Sequence, residues 1–310
     1  MRDYRITLSV PSGFITPWHA DTVFGHLCWV AERHGGFKTF SGAAGLIEPY
    51  RTGKPPLILS DGFPAGYLPA PANLRTLFEK GNSTSLDSAG YTKLKTLKKL
   101  EFLTLEQFAQ YRLGQTFDFA DKIDKRQISA VTLHNSINRI TNTTGDGGSL
   151  FELEERFVSG GMLDIYARCE IGFKDDLCCL FDLFALGGFG KKRSSGKGAF
   201  SVTAIEPFDG FSITNDAANG FISISHFIPA AGDPTQGAYR TMVKYGKMGE
   251  EKAFGGNPFK KPLLMLKPGA VFQTGSVKPY YGRLVENIAA GDPNVVQYGY
   301  AFAVPLFLPA

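Results

Sequence analysis

The chain has 310 residues, with 33 Lys plus Arg against 29 Asp plus Glu and a formal net charge of +4. That length accommodates two domains with a core in each, and the mild basicity excludes a protein that is cationic throughout, so any polyanion-binding surface is local. With 36 Gly, 18 Pro and 26 Phe the composition favours many strands and turns over a helical bundle, and no apolar run approaches the roughly 20 residues a membrane-crossing helix needs.

Residues 5–10 alternate Ile6, Leu8 and Val10 with polar neighbours and read as a strand, which Pro11, Gly13 and Pro17 break. From Asp21, an N-cap candidate, Val23, Phe24, Leu27, Val30 and Ala31 recur at helical spacing as far as Arg33, before Gly35 and Gly36 end the helix. Residues 55–69 hold extended segments whose prolines argue for an edge strand or an irregular hairpin. A Gly/Ser/Asn-rich connection at 81–90 leads to a predicted basic helix over 93–111, with Leu94, Leu97, Leu100, Leu103, Leu105 and Phe108 available for burial. Its Lys93, Lys95, Lys98 and Lys99 fit a solvated face better than an RNA contact.

Asp118, Asp121 and Asp124 recur every third residue, but no histidine or further carboxylate joins them, and no metal site is assigned. An extended run at 127–133 then enters a polar segment at 134–151 that carries His134, Asn135, Arg139 and Thr141, with the glycines at 145–148 as its tip. Its donors suit a finger that grips a partner; a surface hairpin without a ligand fits as well. Residues 163–173 read as a strand, 175–186 as a helix and 199–205 as a strand.

Between that helix and the last strand lies the most informative run. Two Gly-x-Gly pairs, Gly188/Gly190 and Gly196/Gly198, flank Lys191, Lys192, Arg193, Ser194, Ser195 and Lys197. The glycines permit positive φ and close backbone approach, and the amides, hydroxyls and four cations together make a phosphate-binding surface. A helix C-cap followed by a solvated loop is the plainer reading. The nucleoside-triphosphate loop pattern fails, because Gly190 to Gly196 encloses one residue too many and Gly198 stands where Ser or Thr should be. A dinucleotide fingerprint fails at Arg193, leaving a polymeric phosphate backbone as the better candidate.

With a strand from 57–68 the first two thirds spell β-α-β-β-α-β with insertions, the ferredoxin-like order shared by RNA-recognition modules. A turn-rich stretch at 207–219 marks a boundary. Beyond it, strands at 221–228, 239–245, 263–266, 270–273 and 298–308 and a short helix at 280–288 fit a second, degenerate unit. The expected fold is therefore α+β, with two ferredoxin-like (RRM-like) domains at 1–208 and 209–310. Cys28, Cys169, Cys178 and Cys179 lack CxxC spacing and no signal peptide precedes the first strand, so the expectation is a cytoplasmic protein with reduced, mostly buried thiols.

The runs ADTVFGHLCW at 20–29, LSDGFP at 59–64 and NSINRIT at 135–141, followed by the doubled Gly-x-Gly loop, resemble the RAMP superfamily of CRISPR proteins. Their order and spacing are most similar to the fourth-subunit family of the Csm-type (type III-A) effector complex. That resemblance implies a non-catalytic, RNA-binding subunit of a hetero-oligomeric antiviral complex, without cofactor or metal. It would hold the 5′ handle of the crRNA and bridge the large polymerase-like signature subunit to the backbone RAMP subunit. It further implies that Gly188, Gly190, Lys191, Lys192, Arg193, Ser194, Ser195, Gly196 and Lys197 line the RNA, with His134, Asn135, Arg139 and Thr141 in or near a hairpin, or thumb, that presses on it. Two other classes stay open. A metal-independent RNA-processing nuclease would use His19 or His26 as general base. An adaptor without RNA contact would use aromatics such as Phe254, Phe259, Phe272, Tyr280 and Tyr281 at protein interfaces. Asp21 is the nearest match to the family's cleaving aspartate, and its position suits a helix cap better.

Overall fold

The computed structural model describes residues 1–74, 76, 95–97, 99–115, 117, 126–144, 150–213, 218–253, 257–290 and 292–308. Strand β1 (Arg2–Ser9) points Tyr4, Ile6 and Leu8 into the core, as its alternation requires. It leads into helix α1 (Ala20–Arg33), and after a second helix, α2 (Gly42–Arg51), the chain forms β2 (Leu57–Pro64). An insertion follows: β3 (Tyr67–Pro69), β4 (Phe102–Thr104), α3 (Leu105–Arg112) and a long hairpin of β5 (Gln127–Asn135) and β6 (Leu150–Val158). Then come β7 (Met162–Cys169), α4 (Lys174–Gly187) and β8 (Ser201–Pro207).

The sheet order is β2-β7-β1-β8, every pairing antiparallel, so the two strand-helix-strand units interleave as in a ferredoxin-like fold. Strand β2 takes the edge that its prolines called for, with its register shifting between Leu59 and Gly62.

Beyond residue 207 the chain continues through β9 (Gly220–Ser223), β10 (Gly237–Ala238), β11 (Thr241–Lys244), β12 (Leu263–Leu266), β13 (Val271–Gln273), β14 (Tyr280–Gly282) and β15 (Tyr300–Leu306). Five of these form an antiparallel sheet, β10-β13-β9-β15-β14, while β11 and β12 pair as a separate ribbon. Among the described residues no α-helix follows Gly187, so this half keeps a sheet without the helices of a full ferredoxin-like unit.

One hydrophobic cluster joins the two halves, placing Tyr4, Phe24 and Tyr50 with Ile222, Tyr298, Tyr300 and Phe302. Two buried arginines tie the same seam. Arg112 donates to the carbonyls of Pro305, Gly210 and Phe211 at 2.8, 2.7 and 2.6 Å. Arg168 pairs with both oxygens of Asp3 and donates to the Ala303 carbonyl at 2.8 Å. Burial, with Arg168 nearby, lowers the Arg112 guanidinium to about 10, and the three carbonyls compensate its desolvation.

Several sequence expectations need correction. The predicted helix over 93–111 is interrupted: 95–97 and 99 are helical, Phe102–Thr104 is strand, and α3 begins afresh at Leu105. Thr104 imposes the restart, because it forms a capping box with Gln107, and Leu103 pairs with Leu68 in the buried β3–β4 ladder. Lys95 is exposed, while Lys93, Leu94 and Lys98 lie outside the described residues, as do Asp118, Asp121, Asp124 and Phe254. The helix expected at 280–288 is a short strand, Tyr280–Gly282, ended by Gly282 at φ 86°.

Asp21 does not cap α1. His19 is the N-cap residue, and Asp21 is buried in the first turn, paired with Lys244. All four cysteines are free thiols, but Cys169 alone is fully buried and the others are half-buried. Phe259 is exposed, whereas Phe272 and Tyr281 belong to a core cluster. No helix of the described residues is long and apolar enough to cross a membrane.

Candidate nucleic-acid interface

The glycine-rich loop leaves α4 through Gly188, whose φ of 67° ends the helix. Its base is closed by Phe189 and Gly198, with the Phe189 amide donating to the Gly198 carbonyl at 2.8 Å. The approach is so close that a Cβ on Gly198 would lie 2.0 Å from the Phe189 carbonyl oxygen. Gly190 has φ 74°, and a Cβ there would meet Thr16 at 2.5 Å. Phe189 anchors the base by stacking on Trp18, with ring centroids 3.8 Å apart. At the tip, Lys192 adopts a left-handed conformation with φ 62°, and Arg193–Ser195 form one tight helical turn closed by Gly196.

Residues 12–16 form a seam on which the loop and the hairpin both rest. Gly198 donates to the Gly13 carbonyl at 2.9 Å, the Lys191 amide to Thr16 Oγ1 at 3.0 Å, and the Ala199 amide to Ser12 Oγ at 2.8 Å. On the other side Phe14 and Arg156 exchange backbone hydrogen bonds at 2.9 and 2.8 Å, which fixes the hairpin root. The Gly190 amide donates to His26 Nε2 at 3.2 Å. Much of the loop's amide capacity therefore shapes the loop itself, and contact with a phosphate falls mainly to side chains.

Those side chains divide into two roles. Lys197 is half-buried and forms an ion pair at 2.7 Å with Glu155 of β6, whose carboxylate side chain is only 5% exposed. Lys191, Lys192, Ser194 and Ser195 are exposed and Arg193 is half-exposed. Gly187, Gly190, Lys192, Arg193 and Ser194 line an open depression at the loop surface.

The hairpin register places Ile128, Ala130, Thr132 and His134 opposite Phe157, Glu155, Leu153 and Phe151 on one face. That face meets the loop. Lys192 Nζ lies 5.7 Å from the centre of the Phe151 ring, and His134 stacks on the same ring at 5.5 Å with 17° between planes. The structure thus brings Lys192 and His134 together through Phe151. Asn135 ends β5, while Arg139 and Thr141 sit in the exposed turn at the tip, and among the described residues no contact joins either of them to the loop. Residues 145–149 lie outside the described residues. The opposite hairpin face leaves Val131, Leu133 and Leu150 at least 60% exposed.

The two histidines a nuclease would use are both engaged. His26 accepts from the loop and stacks on Phe184 at 5.0 Å. His19 packs against His226, ring centroids 4.0 Å apart, and burial, reinforced by His226, pushes it down to about 4. Burial alone would raise Asp61, but His226 holds this carboxyl at about 2.

Sequence reasoning did not single out Phe151, Glu155, Thr16 or Ser12, which set the geometry of the site. The residues are ordinary in sequence and lie about 40 to 190 positions from the loop, so no local pattern marks them.

This combination of a ferredoxin-like sheet with a doubled Gly-x-Gly loop defines a class, and a comparison of families bears it out. The RAMP superfamily model matches residues 19–201, more than half of the chain, and the chain belongs to that superfamily. Its fold is shared by a chain of the Csm1–Csm4 cassette in complex with AMPPNP, at TM-score 0.66 and 16% identity over 100% of both chains. A chain of the same cassette in complex with pppApA aligns at TM-score 0.64 and 15% identity, over 100% of this protein and 99% of that chain. A chain of the Csm3–Csm4 subcomplex of the type III-A CRISPR-Cas interference complex gives 0.61 and 12%, again over 100% of both. No curated protein matches the sequence.

Proposed function

We propose that this protein is the Csm4-type subunit of a type III-A CRISPR effector complex, binding the 5′ handle of the crRNA. It acts in the cytosol, bridges the large signature subunit to the backbone RAMP subunit, and cuts no RNA itself. Membership of the RAMP superfamily and the full-length fold likeness to chains of the Csm1–Csm4 and Csm3–Csm4 assemblies support the subunit assignment.

The observation that carries the RNA reading is the convergence of Lys192 and His134 on Phe151 beside the loop depression. Lys191, Lys192, Arg193, Ser194 and Ser195 supply phosphate contacts, shaped by Gly188, Gly190 and Gly196, while His134, Phe151 and Asn135 offer rings and amide groups to unstacked bases. Arg139 and Thr141 extend the contact at the hairpin tip. Exposed apolar residues on the hairpin's other face suit a chain that stands among partners. The division at 208/209 separates a loop-bearing RNA unit from a sheet unit given to protein contacts.

The test is the salt dependence of guide RNA binding by the assembled complex. Replacing Lys191, Lys192 and Arg193 together by alanine is expected to shallow the log K against log salt slope by about 2, at roughly 0.7 per phosphate contact. Lys197→Ala, whose ammonium already has Glu155, is expected to change it far less. An unchanged slope and affinity in the triple variant would sink the phosphate assignment.

A further inference from the structure

His19, Asp61 and His226 offer ligand atoms that all lie within 4.8 Å of one another. They come from the N-cap of α1, from β2 and from the segment after β9, so the cluster joins the two halves of the chain. Asp61 and His226 are buried, and His19 is half-buried. We propose that this cluster is a structural site for a divalent transition metal of zinc type, held by two imidazoles and one carboxylate.

The carboxylate is already oriented for the task. Asp61 Oδ1 accepts from the Ala20 amide at 2.9 Å and from the His226 amide at 3.1 Å, which turns Oδ2 toward the His226 ring. Backbone donors of this kind are the outer contacts that fix ligating groups in metal sites. Two nitrogens and one oxygen suit zinc, which binds imidazole and carboxylate at about 2.0–2.2 Å and accepts water as a fourth ligand. Ligands in such a tetrahedron stand roughly 3.3 Å apart by those bond lengths, so closing the site on a metal requires the side chains to draw together by no more than about 1.5 Å.

On binding, the hydrogen bond between His226 Nδ1 and Asp61 Oδ2 is replaced by a bond from each atom to the metal. The proton on His226 Nδ1 is released to solvent as the metal binds, Nε2 keeps the hydrogen of the neutral ring, and nothing is oxidised or reduced. Lys244 Nζ lies 3.3 Å from His19 Nδ1, but Asp21 at 2.7 Å and Thr22 at 3.0 Å also hold it, so it keeps two partners when His19 turns to a metal. Such a site pins α1 and β2 of the first unit to the second unit, beside the hydrophobic seam.

The full chain, stripped with a chelator and titrated with zinc or cobalt(II), tests this. The expected result is saturation at one equivalent, visible ligand-field absorption of the cobalt form, and a higher melting temperature when zinc is added. His226→Gln is expected to weaken binding at least about 10-fold. His19→Gln, at the more open ring, provides the same readout should the first variant fail to fold. No saturable binding by the wild-type chain, or equal binding by wild type and a folded ligand variant, would overturn the site. This outcome is independent of RNA binding, which the loop variants report.

Discussion

Gly198 shows how far a single backbone position controls the loop. Its φ of 66° and the Phe189 carbonyl in its path leave no room for a Cβ. Gly198→Ala is therefore expected to destabilise the protein by about 1–3 kcal/mol, read as a melting-temperature fall of several degrees; an unchanged melting temperature would contradict the account. Gly196, also at positive φ, has open space where its Cβ would be, so Gly196→Ala costs only backbone strain and falls less. The need for these glycines was legible in the sequence because they are contiguous with the cations. That the loop amides bond to Gly13, Thr16 and His26 was not, because those partners arrive from the other end of the unit. The sequence likewise offered Asp21 as a cap, whereas Lys244, more than 200 residues away, draws it into a buried pair.

At the scale of elements, loop and hairpin form one assembly on the seam at 12–16. The Lys197–Glu155 pair and the Lys192–Phe151 contact cross between them, so the hairpin, exposed along most of its length, is positioned chiefly at its root. Glu155→Gln removes the charge from a nearly buried carboxylate and leaves a half-buried ammonium unpaired, a loss of about 1–3 kcal/mol after allowing for its partial exposure. Hydrogen exchange is expected to rise in β5 and β6 while β1 and β7 stay protected; protection unchanged in the hairpin would show that this ion pair does not anchor it. The 127–133 run was legible as an extended segment, but not its two-faced register, which depends on pairing with 150–158. The helix expected at 93–111 misled because the three-residue strand Phe102–Thr104 is too short to break the helical spacing of the leucines, and only the Leu68–Leu103 pairing and the Thr104 cap reveal it.

For the whole molecule, the ferredoxin-like order of the first unit was readable from strand and helix periodicity, while the union of the two halves was not. Arg112 and Arg168 cross from one half to carbonyls of the other, and each buried guanidinium would lose several partners at once on substitution. Arg112→Met is expected to destabilise by about 2–4 kcal/mol, because it takes the donor from the buried Phe211 carbonyl and from the partly buried Pro305 and Gly210 carbonyls; a chemical-denaturation midpoint equal to that of wild type would contradict this. The central claim is that an RNA end lies between the glycine-rich loop and the hairpin. Its most direct test is to crosslink crRNA in the assembled complex and map the attached residues by mass spectrometry. The account predicts that the 5′ handle attaches at Lys191, Lys192 and Arg193 and at His134 or Phe151. Handle crosslinks confined to other surfaces, or no crosslink to this subunit at all, would contradict it.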